Sequence, residues 1–304
     1  LGVFSGMGLM KVAKLAPDAI LLPTDFTAYR HYSKLFKTAV SAIAPKMEDR
    51  GIDEIYLDLN DQTDDIAIVA QRIKDAVVAA TGLSCSIGIA PNKLLAKICS
   101  DLEKPNGLTI LTQADIATRI WPLPASKING VGPRAAEKLT ALGLNTIEEL
   151  AHADPVVLHA HFGRSYADWL GRVSHGIDDR PIVTYSEPKS ISRETTFESD
   201  LHAKRDREAL GVIFTQLCVR VAGDLERKGY VGRTVGIKLR FADFKSVTRD
   251  LTLPTYTDDA SAIRQAAGEC LKRIPLSQAF RLLGVRVGTL AKKGALPPED
   301  AVTQ

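Results

Sequence analysis

Between residues 190 and 293 the period of the apolar residues changes from two to 3.6 and back, in an order few folds can accommodate. SISRETTF alternates as a strand. A helix over Arg207–Lys228 follows, with Leu210, Ile213, Phe214, Leu217, Val221 and Leu225 on one face, and then the strands RTVGIKLRF and SVTRDLTL. A second helix carrying Ile263, Ala267, Cys270 and Leu271 leads into a last strand, RLLGVRVGT. The succession βαββαβ makes a sheet backed by two helices. Within RTVGIKLRF, Val235, Ile237, Leu239 and Phe241 form one row and Thr234, Lys238 and Arg240 the other, so one face packs and the other can meet phosphates. Residues 184–293 hold 20 Lys/Arg against 13 Asp/Glu, a net +7, whereas residues 1–183 are close to neutral. A basic module on a near-neutral body suits a polyanion, because neutralising phosphates releases counterions. A solvated basic surface would give the same charge count.

At 304 residues the chain is long enough for two or three domains. The segment 181–190, PIVTYSEPKS, reads as a connector ahead of the basic module. Upstream, helical spacing around Met10–Ala16 precedes the strand-like GIDEIYLDLN. Helical spacing returns over residues 64–80, followed by an apolar strand at 83–89 and a helix at about Lys93–Leu102. Alternating strands and helices imply an α/β core. From about Trp121 the chain reads as short helices punctuated by glycine. Cys85, Cys99, Cys218 and Cys270 have no CxxC spacing, which argues for buried thiols rather than a disulfide framework or zinc site. No apolar run approaches the roughly 18 residues of a membrane span, and no secretory pattern opens the chain; both point to a cytoplasmic protein.

Three segments carry candidate chemistry. Asp53 and Glu54 sit inside GIDEIYLDL, where a regular strand would put one carboxylate in an apolar row with Ile55, Leu57 and Leu59. A charge held there needs a partner, and Mg²⁺ with substrate phosphates is one; a pair of solvated acids at a strand entry is the other reading. In SIGIAPNKLLAKICSDLEKPNG, Lys93 and Lys97 share a helix face, and Pro105-Asn106-Gly107 forms a turn that would aim Lys104. Lysine suits a triphosphate as a point charge, and three surface lysines would look the same. Gly130-Val131-Gly132-Pro133 precedes a helix start, as in a helix-hairpin-helix that grips a DNA backbone without reading sequence, or as in a simple tight turn.

In combination, GVFSGM, IDEIYLDL, SIGIAPNKLLAKICSDLEKPNGL, INGVGPRAAEKLTALGLNTIEEL, FGRSYADWLGRVSHGIDDRPI and KSISRETTFESDL resemble the Y-family DNA polymerases, specifically the DNA polymerase IV group, over nearly the whole chain. The resemblance implies an α+β multidomain right hand: partial fingers at 1–25, an α/β palm at 26–113, a small helical thumb with a helix-hairpin-helix at 114–183, a linker at 184–189, a βαββαβ little finger at 190–293 and a tail at 294–304. It implies two Mg²⁺ ions held by Asp53 and Glu54, with Glu54 as the catalytic acidic residue. Lys104 would bind the incoming triphosphate, and Ser5, Gly6 and Met7 would lie near the nascent base pair. Gly130 and Gly132 would hold DNA. Lys238 and Arg240, joined by Arg193 and Arg249 from neighbouring strands, would form the little-finger DNA face.

The implied partners are primer-template DNA and deoxynucleoside triphosphates, with the protein a monomer of low fidelity acting in damage tolerance. Three departures stand out. Gly8 occupies a position where the family commonly has Pro, and LAKKGALPPEDAVTQ contains no recognisable sliding-clamp peptide. Leu1 aligns inside the fingers, so the resemblance also implies that the sequence lacks a front segment, with a further metal-binding Asp, the aromatic residue that excludes ribonucleotides, and a Tyr and an Arg that hold the triphosphate. Activity would be incomplete without it. Two other classes compete: a catalytically incomplete DNA-binding accessory protein on the same fold, and a helix-hairpin-helix nuclease or glycosylase, which leaves IDEIYLDL and βαββαβ unexplained.

Overall fold

A computed structural model describes residues 1–294 and divides the chain into two compact units, 1–185 and the part beginning at Ser186. The first unit opens with a four-residue turn, Phe4 to Met7, and a short helix α1 (Leu9–Leu15) that buries no residue. Helix α2 (Phe26–Ser41), started by the Asp25 carboxylate accepting from the Thr27 and Ala28 amides, packs on α3 (Ile66–Thr81). Val40, Val69, Ile73 and Val77 form their shared core. The Asp65 side chain caps α3, and Gly82 ends it at φ +72°.

Strands in this unit are short. The hairpin β1 (Met47–Asp49) and β2 (Ile55–Leu57) pairs Glu48 with Tyr56 and Asp49 with Ile55. A separate parallel pair joins β3 (Ile87–Ile89) to β4 (Leu108–Ile110) across α4 (Lys93–Leu102). The apolar side of α4, formed by Leu94, Leu95, Ile98 and Cys99, shares one core with the helical region that follows. That region comprises short turns of tight and wide helix between Gln113 and Lys127, then α5 (Pro133–Ala141), α6 (Ile147–Ala151), α7 (Pro155–Phe162) and α8 (Arg164–Ser174).

The second unit has the expected succession: β5 (Ser190–Leu201), α9 (Arg207–Lys228), β6 (Tyr230–Phe241), β7 (Ser246–Thr257), α10 (Ala260–Lys272) and β8 (Phe280–Lys292). All pairings are antiparallel, in the order β5-β8-β6-β7. Val235, Ile237 and Leu239 are buried against Leu217, Val221, Leu225, Ile263 and Ala267, as the row assignment requires. The architecture is α+β throughout.

Cys99, Cys218 and Cys270 are buried free thiols, while Cys85 is only half-buried. Burial pushes the Cys99 and Cys218 thiols up to about 11, which keeps them unreactive. No helix among the described residues is long and apolar enough to cross a membrane. Apart from Gly294, the expected tail lies outside the described residues.

Candidate active site

The strand expected across GIDEIYLDL contracts to Ile55–Leu57. Asp53 and Glu54 therefore stand in the loop that closes the β1–β2 hairpin, and both are exposed. The expectation of a carboxylate held in an apolar row is corrected: Gly51, at φ +146°, and the bend through Asp53 take the chain out of the pleat before the apolar alternation begins. The loop is held from outside. Lys37 on α2 donates to both Asp49 carboxylate oxygens at 2.9 and 2.8 Å and to the Gly51 carbonyl at 2.5 Å, and the Gly51 amide donates back to Asp49. The hydrogen bond from Lys37, opposed by partial burial, keeps the Asp49 carboxyl below the ordinary carboxylate range.

Helix α4 lies along this hairpin and presents a charged stripe, Lys93, Lys97 and Asp101, spaced four residues apart. Lys93 is not a surface lysine. It is buried and donates to Glu48 at 2.8 Å and to the Pro181 carbonyl at 2.8 Å, while the Val183 amide donates to the same Glu48 oxygen at 2.9 Å. Burial works against the Glu48 charge, yet the Lys93 and Val183 bonds outweigh it and hold its carboxyl low.

Lys97 donates to Glu54 at 2.8 Å and lies 3.4 Å from Asp101, whose other oxygen is 2.6 Å from Lys104. Desolvation, the largest influence on Lys97, favours the neutral amine. The Glu54 and Asp101 carboxylates reverse it and raise the ammonium above its ordinary range. Desolvation likewise opposes the charge on Asp101, and Lys104 and Lys97 together lower its carboxyl. Asp53, next to this network, has no hydrogen-bond or ion-pair partner among the described residues.

Glycine places α4 this close to the strands. A Cβ on Gly88 of β3 would lie 2.2 Å from the Ala96 carbonyl oxygen and 2.3 Å from the Ser100 nitrogen, so no other residue fits without moving the helix. The α4 N-terminus is capped by the Asn92 side chain on the Leu95 amide, and Asp178 accepts from the Leu94 amide at 3.0 Å. Buried Lys74 on α3 donates to the Asn106 and Gly107 carbonyls at 2.5 and 3.3 Å, fixing the turn next to Lys104. Lys37, Glu48, Lys74 and Asp101 were not singled out from sequence as site residues. For Lys37, Glu48 and Lys74 the signal is tertiary, since each meets its partner only after folding, whereas Asp101 lies four residues after Lys97 and three before Lys104, a helical spacing that the sequence displays.

Ser5 and Gly6 are exposed in the Phe4–Met7 turn, where Gly6 takes φ +85°; Met7 is half-buried. In the helical region Gly130 adopts φ +114°, its carbonyl accepts from the Tyr166 hydroxyl at 2.8 Å, and a Cβ there would meet the Trp169 ring at 2.7 Å. Gly132 precedes α5, which has Pro133 at its first turn and no side-chain cap. A Cβ on Gly132 would touch nothing within 4 Å. The helix start thus presents open amides with the positive end of the helix dipole behind them.

On the four-stranded sheet the register pairs Lys238 with Thr248 and Gly284, and Arg240 with Ser246, on the face opposite the helices. Arg193 and Arg249 do not share that face. Arg193 lies opposite Val285 and donates to Asp224 on α9 at 2.5 and 3.0 Å; Arg249 lies opposite Ile237, in the row of Val247 and Leu251 that packs toward the helices. Arg286 takes the open-face place, paired with Asp250 at 2.9 Å, and Lys238 pairs with Glu194 at 2.9 Å. Gly236 makes room for the Arg286 pair, since a Cβ there would lie 2.0 Å from the Asp250 carboxylate.

Comparison with known proteins bears on these arrangements. The impB/mucB/samB family model matches residues 1–101, the IMS family HHH motif matches 114–144, and the impB/mucB/samB family C-terminal domain matches 188–299. The DNA polymerase IV of Methanoculleus marisnigri is 38% identical over 291 residues, covering 95% of this chain and 80% of that protein. DNA polymerase IV 2 of Methanosarcina mazei is 32% identical over 295 residues, covering 96% and 79%. Among solved structures, a Y-family DNA polymerase chimera of Dbh and Dpo4 matches the fold with a TM-score of 0.81 at 23% identity, covering 96% of this chain and 85% of that one. With identities of this level over most of both partners, the chain belongs to the Y-family DNA polymerases, in the DNA polymerase IV group.

Proposed function

We propose that the protein adds deoxynucleotides to a primer 3′ end under the direction of a DNA template, in the lesion-bypass role of a low-fidelity polymerase. The observation that carries this reading is the α4–hairpin arrangement. An unpartnered exposed carboxylate, Asp53, adjoins a second one, Glu54, and a line of charges runs from Glu54 to Lys104. Asp53 would hold Mg²⁺ together with the Glu54 oxygen not engaged by Lys97. Among the described residues no group of three His, Cys, Asp or Glu is placed to hold a metal ion. Two hard carboxylates completed by substrate phosphates and water still suit Mg²⁺, which keeps several waters and needs only one or two protein ligands. When bound, a pair of such ions activates the attacking 3′-oxygen and stabilises the leaving pyrophosphate.

The chain's own residues do the rest. Lys104, more than half exposed, would receive the triphosphate, and Ser5, Gly6 and Met7 would flank the nascent pair. The open amides after Gly132 would take a backbone phosphate of the duplex. Lys238 and Arg240 would track the template on the second unit, and such contacts position without reading sequence. On this reading residues 1–25 are part of the fingers, 26–113 the palm, 114–183 the thumb, 184–189 the linker and 190–293 the little finger. The protein would work on primer-template DNA and deoxynucleoside triphosphates in the cytoplasm, as a monomer; a sliding clamp is a candidate partner.

Running-start primer extension on an undamaged template and on one with a single abasic site tests the proposal. Mg²⁺-dependent extension on the first and continued synthesis past the second are expected. Extension that stops one nucleotide before the abasic site would refute the bypass role, and no extension on either template would refute the reading itself.

A further inference from the structure

Glu54, Lys97, Asp101 and Lys104 form an unbroken file of alternating charge with unequal contacts: 2.8 Å, 3.4 Å and 2.6 Å in order. Lys97 is the shared member. Its side chain is only 19% exposed, against 50% for Glu54 and 56% for Lys104, so its ammonium needs a carboxylate partner whichever one is at hand. Asp101 is the alternative, already within ion-pair distance but drawn at its other oxygen toward Lys104.

We propose that Asp101 is a positioning residue that couples capture of the nucleotide triphosphate at Lys104 to release of the Glu54 carboxylate. The inference rests on the roles given to Glu54 and Lys104 above. An arriving triphosphate competes with Asp101 for the Lys104 ammonium, and with a charge of several units against one it wins. Asp101, having lost its closer partner, takes Lys97 fully. Glu54 then loses the one cation it meets among the described residues and turns both oxygens to the reacting centre. Before the nucleotide arrives, the same file keeps Glu54 neutralised and Lys104 folded back on α4. No proton moves in this exchange; one ion pair replaces another.

The test is Asp101→Asn in the full-length protein, alone and combined with Lys97→Gln. Without the Asp101 charge, Lys104 has no competitor. Metal-free binding of a non-hydrolysable deoxynucleoside triphosphate analogue should then tighten, roughly two- to fivefold, the range an exposed ion pair contributes. Lys97 now has only Glu54, so kcat for primer extension should fall by at least about threefold. Asp101→Glu should restore both values. In the Lys97→Gln background, adding Asp101→Asn should leave kcat where Lys97→Gln alone puts it, because the element carrying the coupling is already gone. A residue with only a structural role would weaken binding and turnover together. Weaker or unchanged analogue binding in Asp101→Asn, or losses in kcat that simply add in the double variant, would overturn the proposal. Wild-type protein that fails to extend a primer would instead reject the polymerase reading on which it stands.

Discussion

The Asp224→Asn substitution should cost the second unit measurable stability, and the loss should fade as the pH falls. Asp224 is buried on α9 and accepts two hydrogen bonds from Arg193 of β5 and one from Arg227. The Arg193 guanidinium, resisted by burial and aided by Arg227, holds the Asp224 carboxyl down to about 2 from an ordinary 3.8. A folded-state value depressed below the unfolded one means that the carboxylate stabilises the fold above pH 4 and loses that effect as pH falls toward 2. At about 1.4 kcal/mol per pKa unit the gap is worth up to about 2.5 kcal/mol at pH 7. Arg193 is 39% exposed, and solvent screening reduces the figure to about 1–2 kcal/mol.

Urea unfolding of wild-type and Asp224→Asn protein, followed by amide exchange in β5 and α9, measures it. At pH 7 the variant should be less stable by that amount, and at pH 3 the difference should shrink by about half. Equal stability at pH 7, or a deficit that is the same at both pH values, would refute the argument that Arg193 serves the helix side of the sheet.

Four further substitutions have expected outcomes. Glu48→Gln leaves Lys93 buried beside a neutral partner and removes the carboxylate that receives the Val183 amide, so the first unit should lose about 3–5 kcal/mol in chemical denaturation. Lys238→Ala and Arg240→Ala should each weaken DNA binding equally across sequences and lower the salt dependence of log K by about one unit, measured by fluorescence anisotropy at several salt concentrations. Arg249→Ala, altering the helix-facing row of an edge strand, should leave that slope unchanged.

Much of the second unit could be read directly from the chain, because strands twelve or thirteen residues long and a helix of 22 carry their periods over many repeats. The placement of Arg193 and Arg249 shows a signal passed over. Arg193 has the parity of Ile191 and Phe197, and Arg249 that of Val247 and Leu251, so each belongs to the apolar row of its own strand. Parity along its own strand places each on the helix-facing side, whichever residues its neighbouring strands present. In the first unit, three-residue strands are too short to show a period, which is why β1 and its pairing with β2 were not expected and why the strand read over 83–89 shrinks to Ile87–Ile89.

Pro91-Asn92 marks the start of α4 in the sequence and the helix has the expected bounds, yet spacing alone does not sort its stripe of lysines. Burial of Lys93 depends on Glu48 and on the Pro181 carbonyl, 88 residues away. The motif strings supplied the family, and the tertiary contacts supplied what each lysine does.

The most direct test of the account is single-nucleotide insertion by the full-length protein and its Asp53→Ala variant, with each of the four templating bases and with Mg²⁺ present or withheld. The account predicts insertion of the complementary nucleotide that requires Mg²⁺ and is abolished in Asp53→Ala, while the variant still binds primer-template DNA with unchanged affinity. Full insertion by Asp53→Ala would contradict it.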